Sequence, residues 1–275
     1  MKIGVYIKDE SHAGDPKVVK MLGVLKAEHK EVYLIKERSD VQSYTDMVLS
    51  VGGDGTFLSA SKRVADSGIP ILGVNLGRLG FLSENTPESA LRALMTGKYT
   101  IENRDMLNTS IEGMELENDP EFWPYALNEV TIHRNGAAVM GINVSIDGVA
   151  LPTYWADGLI VATSSGSTAY SLSAGGPICM PDAKVLLVVP IAPHNLNVRP
   201  LVVPGTAKVR ISAVVRGDKA IMTIDNRTKE IDPSCAINVS LAQFSLKRVR
   251  LENSNFVNAL TGKLFWGEDI RNNSR

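Results

Sequence analysis

The sequence predicts an α/β N-terminal domain with a parallel, doubly wound sheet, followed by a mostly antiparallel, β-rich C-terminal domain. Three observations predict it. Over the first 75 residues, short apolar runs alternate with stretches at helical spacing, the pattern of βαβ units. Within that part, Met47–Thr56 (Met-Val-Leu-Ser-Val-Gly-Gly-Asp-Gly-Thr) drives a short apolar run, of the kind buried on both faces, straight into a glycine-rich turn. From Tyr99 the chain changes to closely spaced alternating segments with few helix signals.

Lys2–Lys8 reads as the first strand. Asp15-Pro16 is an N-cap and first-turn pair, and Val18, Val19, Leu22 and Leu25 follow at helical spacing through Lys30. Val32–Ile35 makes a second strand, and Asp40–Asp46 bridges to the third, Met47–Val51. After the glycine turn, Phe57–Val64 reads as a helix ending near Gly68, and Ile69–Val74 as the next strand. The turn Asn75-Leu76-Gly77-Arg78-Leu79-Gly80-Phe81-Leu82 then leaves a strand's carboxyl end, where open α/β sheets bind ligands. Thr86-Pro87-Glu88 starts a helix that Gly97 stops.

The β segments are Leu107–Ile111, Ala126–His133, Met140–Ile146, Gly158–Ala162, Val185–Val189, Lys208–Val215, Ala220–Ile224 and Ala236–Leu241, with Asp147-Gly148 a hairpin turn. The expected division is residues 1–100 for the α/β domain, 101–250 for the β-rich domain and 251–275 for a C-terminal segment. In that segment Asn255–Trp266 forms a short amphipathic helix that is free to pack back on the first domain.

Gly52, Gly53 and Gly55 allow close approach of the backbone to a ligand, and the helix that follows presents N–H groups suited to phosphate. Asp54 is the exception, because phosphate repels a carboxylate unless that carboxylate handles a proton or a metal. This points to phosphoryl transfer. The plainer alternative is that Asp54 caps the helix beginning near Thr56.

A second cluster spans Ala156–Tyr170. A strand ends at Thr163 and six hydroxylic or glycine residues follow, continuing through Ser171 and Ser173 to Gly175-Gly176-Pro177. Such a run wraps a polar ligand closely, or it is a plain Ser/Thr loop. Asn128-Glu129 interrupts an apolar strand, Leu127–Ile132, so at least one of the pair is buried and needs partners. An amide beside a carboxylate matches a vicinal diol such as ribose; the alternative is a solvated strand edge. Asp225-Asn226-Arg227 reads by itself as a turn, and Arg199 as a loop arginine.

Bulk properties narrow the classes. A hydrophobic content of 44%, a charged content of 21% and a formal net charge of −1 over 275 residues give no electrostatic case for nucleic acid or an anionic membrane. No apolar run is long enough to span a bilayer, and none resembles a secretory signal. Two cysteines, Cys179 and Cys235, and four scattered histidines suggest a reduced cytoplasm and no structural zinc.

Taken together, these motifs resemble the bacterial NAD kinases. Gly52–Thr56 is similar to the family's glycine motif, Asn75–Leu82 to the segment that follows it, and Asn128-Glu129 to its Asn-Glu pair. Asp157–Pro177 is similar to its glycine- and hydroxyl-rich signature, and Arg199–Pro204 to a later one. Gly-Gly-Asp-Gly alone is shared with phosphofructokinases and with diacylglycerol and sphingosine kinases. The resemblance implies transfer of the terminal phosphoryl group of ATP to the adenosine ribose 2′-hydroxyl of NAD, with magnesium arriving on ATP. It makes Asp54 the base or orienting acceptor and assigns phosphate to Gly52, Gly53, Gly55 and Thr56. It further assigns ribose hydroxyls to Asn128 and Glu129. The nicotinamide or adenine pocket falls to Asp157 and the run Thr168, Ala169, Tyr170, Ser171, Leu172 and Ser173, with Ser165 and Arg227 as further nucleotide-binding positions. It implies a homodimer or homotetramer in which neighbouring subunits complete the site. Three departures stand out. Ser164-Ser165 replaces the family's Pro-Thr, which is expected to loosen the loop; Asn226-Arg227 replaces Gly-Gln; and Trp155 stands where a basic residue is common. The competing readings are a non-catalytic NAD or NADP sensor and a lipid or sugar kinase of the same superfamily.

Overall fold

The computed structural model describes residues 1–77, 80–116, 122–214, 219–252 and 254–266. The chain forms two compact units: residues 1–103 with those from Lys247 onward, and Arg104–Leu246. The first unit opens with β1 (Lys2–Ile7), α1 (Pro16–Ala27), β2 (Glu31–Ile35), β3 (Met47–Val51), α2 (Asp54–Val64), β4 (Ile71–Val74) and α3 (Pro87–Thr96), then enters β5 (Tyr99–Ile111). The second holds β6 (Tyr125–Ala126), β7 (Glu129–Arg134), β8 (Met140–Ile146), β9 (Val149–Ala150), β10 (Tyr154–Ala156), β11 (Gly158–Thr163) and α4 (Tyr170–Ser173). It continues with β12 (Val185–Ile191), β13 (Leu201–Pro204), β14 (Val209–Val214), β15 (Ala220–Ile224) and β16 (Arg227–Ile231). β17 (Ile237–Leu251) leads back into the first unit, whose last described element is α5 (Phe256–Leu264).

In the first unit the parallel strands run in the order β2-β1-β3-β4, and Arg248 of β17 pairs in parallel with Ile71. The chain therefore reverses its direction of travel across the sheet between β1 and β3, the switch point at which doubly wound sheets open a ligand crevice. α1 and α3 cover one face through Val18, Met21, Leu25, Ala90 and Leu94, against Ile3, Val5, Met47, Leu49 and Leu72. The alternate residues Val48, Ser50 and Ile71 are equally buried, on the side of α2. Each fully buried aliphatic or aromatic side chain here contributes about 1.5–3 kcal/mol.

Helix α1 follows its Asp15 cap but ends at Ala27, short of Lys30, because His29 turns left-handed at φ 56°. Its buried stripe is Val18, Met21 and Leu25, whereas Val19 is exposed. Helix α2 stops at Val64 rather than near Gly68, since Ala65 leaves the helix at φ 46°. Strand β4 begins at Ile71, two residues later than expected.

The second unit packs two antiparallel sheets around one core. The first runs β13-β12-β11-β7-β15-β16 and the second β10-β8-β14-β17, with β9 on β8. Val130, Ile132, Leu159 and Val188 meet Ile142, Val144, Ile211 and Val239 between them. The outer face of β11 and β12 carries Ile160, Ala162, Leu187 and Val189, with Ala174 and Cys179 packed on it, so the Ser/Gly-rich segment lies over buried strands. Asp147 and Gly148 both have positive φ and turn β8 into β9.

Several strands differ from expectation. Leu127–Ile132 is not one strand: β6 ends at Ala126 and β7 starts at Glu129, because the intervening N–H groups bond to a carboxylate instead of a neighbouring strand. β5 and β17 are longer than their apolar cores, and β9, β10, β13 and β16 were not expected at all. Val215, placed in a strand by the sequence, lies outside the described residues.

Candidate active site

The glycine turn sits at the carboxyl end of β3, beside the switch point. Gly52 has φ 143°, and a Cβ there would meet the Thr56 hydroxyl at 2.4 Å. Its N–H donates to the Val74 carbonyl at 2.8 Å. Gly53, not Asp54, is the N-cap of α2, and it supplies no side chain to the first-turn N–H groups. Those of Asp54 and Gly55 consequently lack an intrahelical acceptor. A Cβ on Gly53 or on Gly55 would have no neighbour within 4 Å, so both face open space.

Asp54 is the first helical residue, and the capping reading is therefore wrong. Its carboxylate reaches across to the loop after β4 and accepts from the N–H groups of Phe81 (2.9 Å), Leu82 (3.1 Å) and Ser83 (2.8 Å). Two of these bonds fall on Oδ1 and one on Oδ2, which leaves Oδ2 with a free lone pair. Gly80 is required beneath this arrangement, since a Cβ there would come within 2.0 Å of Asp54 Oδ1. Arg78 and Leu79 of the same segment lie outside the described residues. The loop is held from its far side by Lys263 of α5, whose ammonium donates to the Gly80 carbonyl and lies 4.8 Å from the centre of the Phe81 ring.

In the second unit the corresponding device is Asp225. Its carboxylate accepts from the N–H groups of Leu127 (2.9 Å), Asn128 (2.8 Å) and Glu129 (3.3 Å), which explains the break between β6 and β7. Asp225 takes φ 50° in the β15–β16 turn, and its own N–H donates to the Glu129 carbonyl. Burial raises its carboxyl above the ordinary carboxylate range, opposed by Arg227 and the three N–H donors. The Asp-Asn-Arg stretch is thus more than a turn.

Asn128 and Glu129 are both buried, each with 8% of its surface exposed. Burial, reinforced by the nearby Asp225 charge, pushes the Glu129 carboxyl up to about 8, against the lowering effect of the Tyr170 N–H. Its Oε2 has no hydrogen-bond partner among the described residues. The carboxyl is then mostly protonated at neutral pH, and it presents one uncommitted oxygen. Gly166 is wedged against Asn128, where a Cβ would meet the Asn128 carbonyl oxygen at 2.1 Å.

The hydroxyl-rich segment is tied by its own hydroxyls. Thr163 Oγ1 donates to the Leu127 carbonyl at 2.6 Å, and Ser167 Oγ donates to that of Ser164 at 2.7 Å. Ser164 has φ −57°, within the range proline would impose, and its hydroxyl donates to the Pro181 carbonyl at 3.1 Å. Ser164 thus takes the backbone angle that the missing proline would have imposed. Thr168 Oγ1 donates back to the Ser165 carbonyl at 3.4 Å, and α4, opening after Ala169, is a single turn from Tyr170 to Ser173. Ser165 Oγ and Ser171 Oγ are buried without partners among the described residues. Leu172 is half-buried and Ser173 exposed.

The Tyr170 ring stacks on His133 with centroids 5.7 Å apart. Burial lowers the His133 pKa, opposed by Asp157. Asp157 itself pairs with Arg134, at 2.7 Å from Nε and 3.4 Å from Nη2. Arg227 donates from Nη2 to the Tyr125 carbonyl at 2.5 Å and lies over the Trp123 ring, and its burial lowers its pKa. Trp155 is exposed on β10, with its backbone N–H bonded to Asn195.

Comparison with known proteins decides what this architecture is. Residues 8–99 match the ATP-NAD kinase N-terminal domain and residues 127–251 the ATP-NAD kinase C-terminal domain. The chain belongs to the NAD kinase family. It is 42% identical to an NAD kinase of Bacteroides fragilis over 82% of this chain and 78% of that protein. Identity to an NAD kinase of Flavobacterium psychrophilum is 40%, over 85% and 80% of the two chains. Among solved structures it is similar to an NAD kinase from Archaeoglobus fulgidus in complex with ATP, with a TM-score of 0.78 and 30% identity over 96% and 99% of the chains. The fold is also that of a yeast NADH kinase complexed with NADH, with a TM-score of 0.83, 23% identity, and coverage of 98% and 89%.

Within this family frame, the structure gathers Gly52, Gly53, Asp54, Gly55 and Thr56 in one turn. It gathers Asn128, Glu129 and the Ser165–Ser173 segment around the β6–β7 break, with Asp157 reaching Tyr170 through His133. Sequence reasoning passed over Lys263, quoted Gly80 only as part of the Asn75–Leu82 turn, and read Asp225 by itself as a turn. For Asp225 the one local signal was an aspartate at the turn of a short hairpin, a residue type that tolerates positive φ.

Proposed function

We propose that this NAD kinase family member transfers the terminal phosphoryl group of ATP to the adenosine ribose 2′-hydroxyl of NAD, forming NADP and ADP. The observation that carries the proposal is the Asp54 carboxylate, fixed by three loop N–H groups beside a glycine turn that faces open space. In the reaction the 2′-oxygen forms a bond to the γ-phosphorus, the γ-phosphorus–bridging-oxygen bond breaks, and the hydroxyl proton passes by way of Asp54 to solvent. Such transfer needs alignment and charge neutralisation more than covalent chemistry. The free lone pair of Oδ2 orients the hydroxyl and accepts its proton. The open N–H groups at the start of α2 receive phosphate oxygens.

No cluster of three His, Cys, Asp or Glu side chains capable of holding a metal occurs among the described residues. The donor set therefore suits magnesium carried in by the triphosphate with most of its waters retained, where it would offset phosphate charge. In the second unit, Asn128 and the protonated Glu129 offer an amide and a carboxylic acid to the ribose hydroxyls. Ser165 Oγ and Ser171 Oγ are buried hydroxyls available to the rest of the dinucleotide. Asp157 and Tyr170 flank the base or nicotinamide ring, and Arg227 holds the Tyr125 backbone behind the β6–β7 break. We further propose a cytoplasmic homo-oligomer; no described helix is long and apolar enough to cross a membrane.

Incubation of the protein with NAD and Mg·ATP, followed by enzymatic detection of NADP, tests the reading. NADP formed in step with ADP is expected. NAD binding without ATP consumption would instead make the protein a sensor.

A further inference from the structure

We propose that Lys263 is a positioning residue for phosphoryl transfer: it fixes the Gly80–Ser83 loop that holds Asp54. The inference rests on the NAD kinase reading and goes beyond it, since Lys263 belongs to neither the glycine turn nor the hydroxyl-rich segment. Asp54 is oriented by the N–H groups of Phe81, Leu82 and Ser83, so its aim depends on that loop. The loop's first residue, Gly80, donates its N–H to the Ser83 carbonyl and gives its own carbonyl to the Lys263 ammonium. The same ammonium lies over the Phe81 ring and 3.8 Å from Glu84 Oε2. Glu84 is held in turn by Arg248 and by the Ser254 hydroxyl, which donates at 2.5 Å. The lysine side chain is only 17% exposed.

Desolvating an ammonium is costly unless it is partnered, and every partner of Lys263 named here is on the loop or next to it. The charged groups facing it are Glu84, Asp54 and Arg248. Burial and Arg248 lower its pKa while Glu84 and Asp54 raise it. Helix α5 thereby clamps, from the C-terminal end of the chain, a loop that acts on the catalytic carboxylate.

The test compares wild type with K263M, K263R and F256L. Phe256 of α5 packs on the Phe81 ring, at 6.0 Å between centroids, so F256L loosens the same helix without removing a charge. Wild-type NADP formation is the prerequisite; its absence would fail the functional reading and not this inference. With wild type active, K263M is expected to lose about tenfold or more in kcat while the KM for NAD changes less than threefold. K263R should recover much of kcat, and F256L should stay within threefold. A K263M enzyme with wild-type kcat overturns the proposal. So does an F256L enzyme with the same loss of kcat at equal thermal stability. If K263M does not fold, K263R decides, because a folded K263R enzyme that loses about tenfold or more in kcat contradicts the assignment.

Discussion

Glu129 and Asp225 show how a backbone can force two acids together. Asp225 must accept from Leu127, Asn128 and Glu129 to satisfy a strand break, and this places its charge beside a buried Glu129. The Glu129 carboxyl is pushed from its ordinary value of 4.5 to about 8. The folded chain therefore holds an extra proton between those pH values, and this residue's contribution to stability is lost as pH rises through the window. Each pKa unit corresponds to about 1.4 kcal/mol, so the effect is measurable even when heavily discounted. Thermal melts of Glu129→Gln and wild type across pH 5 to 9 test this. The variant should gain on wild type as pH rises and level off above about 8. A constant difference would show that Glu129 is ionised in the fold. That at least one of Asn128 and Glu129 is buried was legible in the sequence, because two adjacent polar residues in an apolar run point to opposite faces; that both are buried was not. Asp225 was not, because its three partners lie nearly 100 residues away.

The α2 turn and the Gly80–Ser83 loop are two separate segments joined through the Asp54 carboxylate. Two glycines distinguish their roles. At Gly53 (φ −75°) an added methyl meets nothing within 4 Å, whereas at Gly80 it strikes Asp54. Gly53→Ala should thus melt like wild type but bind nucleotide several-fold more weakly, by filling the space meant for phosphate. Gly80→Ala should lose kcat by about tenfold or more with NAD binding largely kept. Titration calorimetry with NAD and with ATP, beside steady-state rates, separates the two. Unchanged nucleotide affinity in Gly53→Ala would mean that the open space is not the phosphate site. At this scale local signals worked where the cause was local. Asp15-Pro16 and Thr86-Pro87 with Gly97 mark helix ends because caps act within a turn. Local pattern left the capping alternative for Asp54 open because its actual partners are 27 to 29 residues away. β5 and β17 outran their apolar cores because polar residues pair with one another, as Arg248 and Arg250 do with Glu102.

Over the whole molecule the α/β and antiparallel β character was legible, since burial on two faces or on one leaves different periodicities in a sequence. The grouping of the chain from Lys247 with the first unit depends on long-range pairs such as Arg248–Glu84, to which periodicity is blind. Homo-oligomerisation is a separate expectation. Leu196, Val202 and Val149 are exposed apolar side chains on the second unit, and a subunit interface would cover such surface. Light scattering should return at least twice the 29.7 kDa chain mass, and a 29.7 kDa particle at working concentration would refute the oligomer. The central claim is that Asp54 receives the 2′-hydroxyl proton. The most direct test follows NADP formation and NAD binding in wild type and Asp54→Asn together. Because asparagine has a single acceptor oxygen for the three loop N–H groups, the variant should also melt a few degrees lower. Loss of about 10²–10⁴ in turnover with NAD affinity kept within a few-fold is the predicted result; an Asp54→Asn enzyme within a few-fold of wild-type turnover would contradict it.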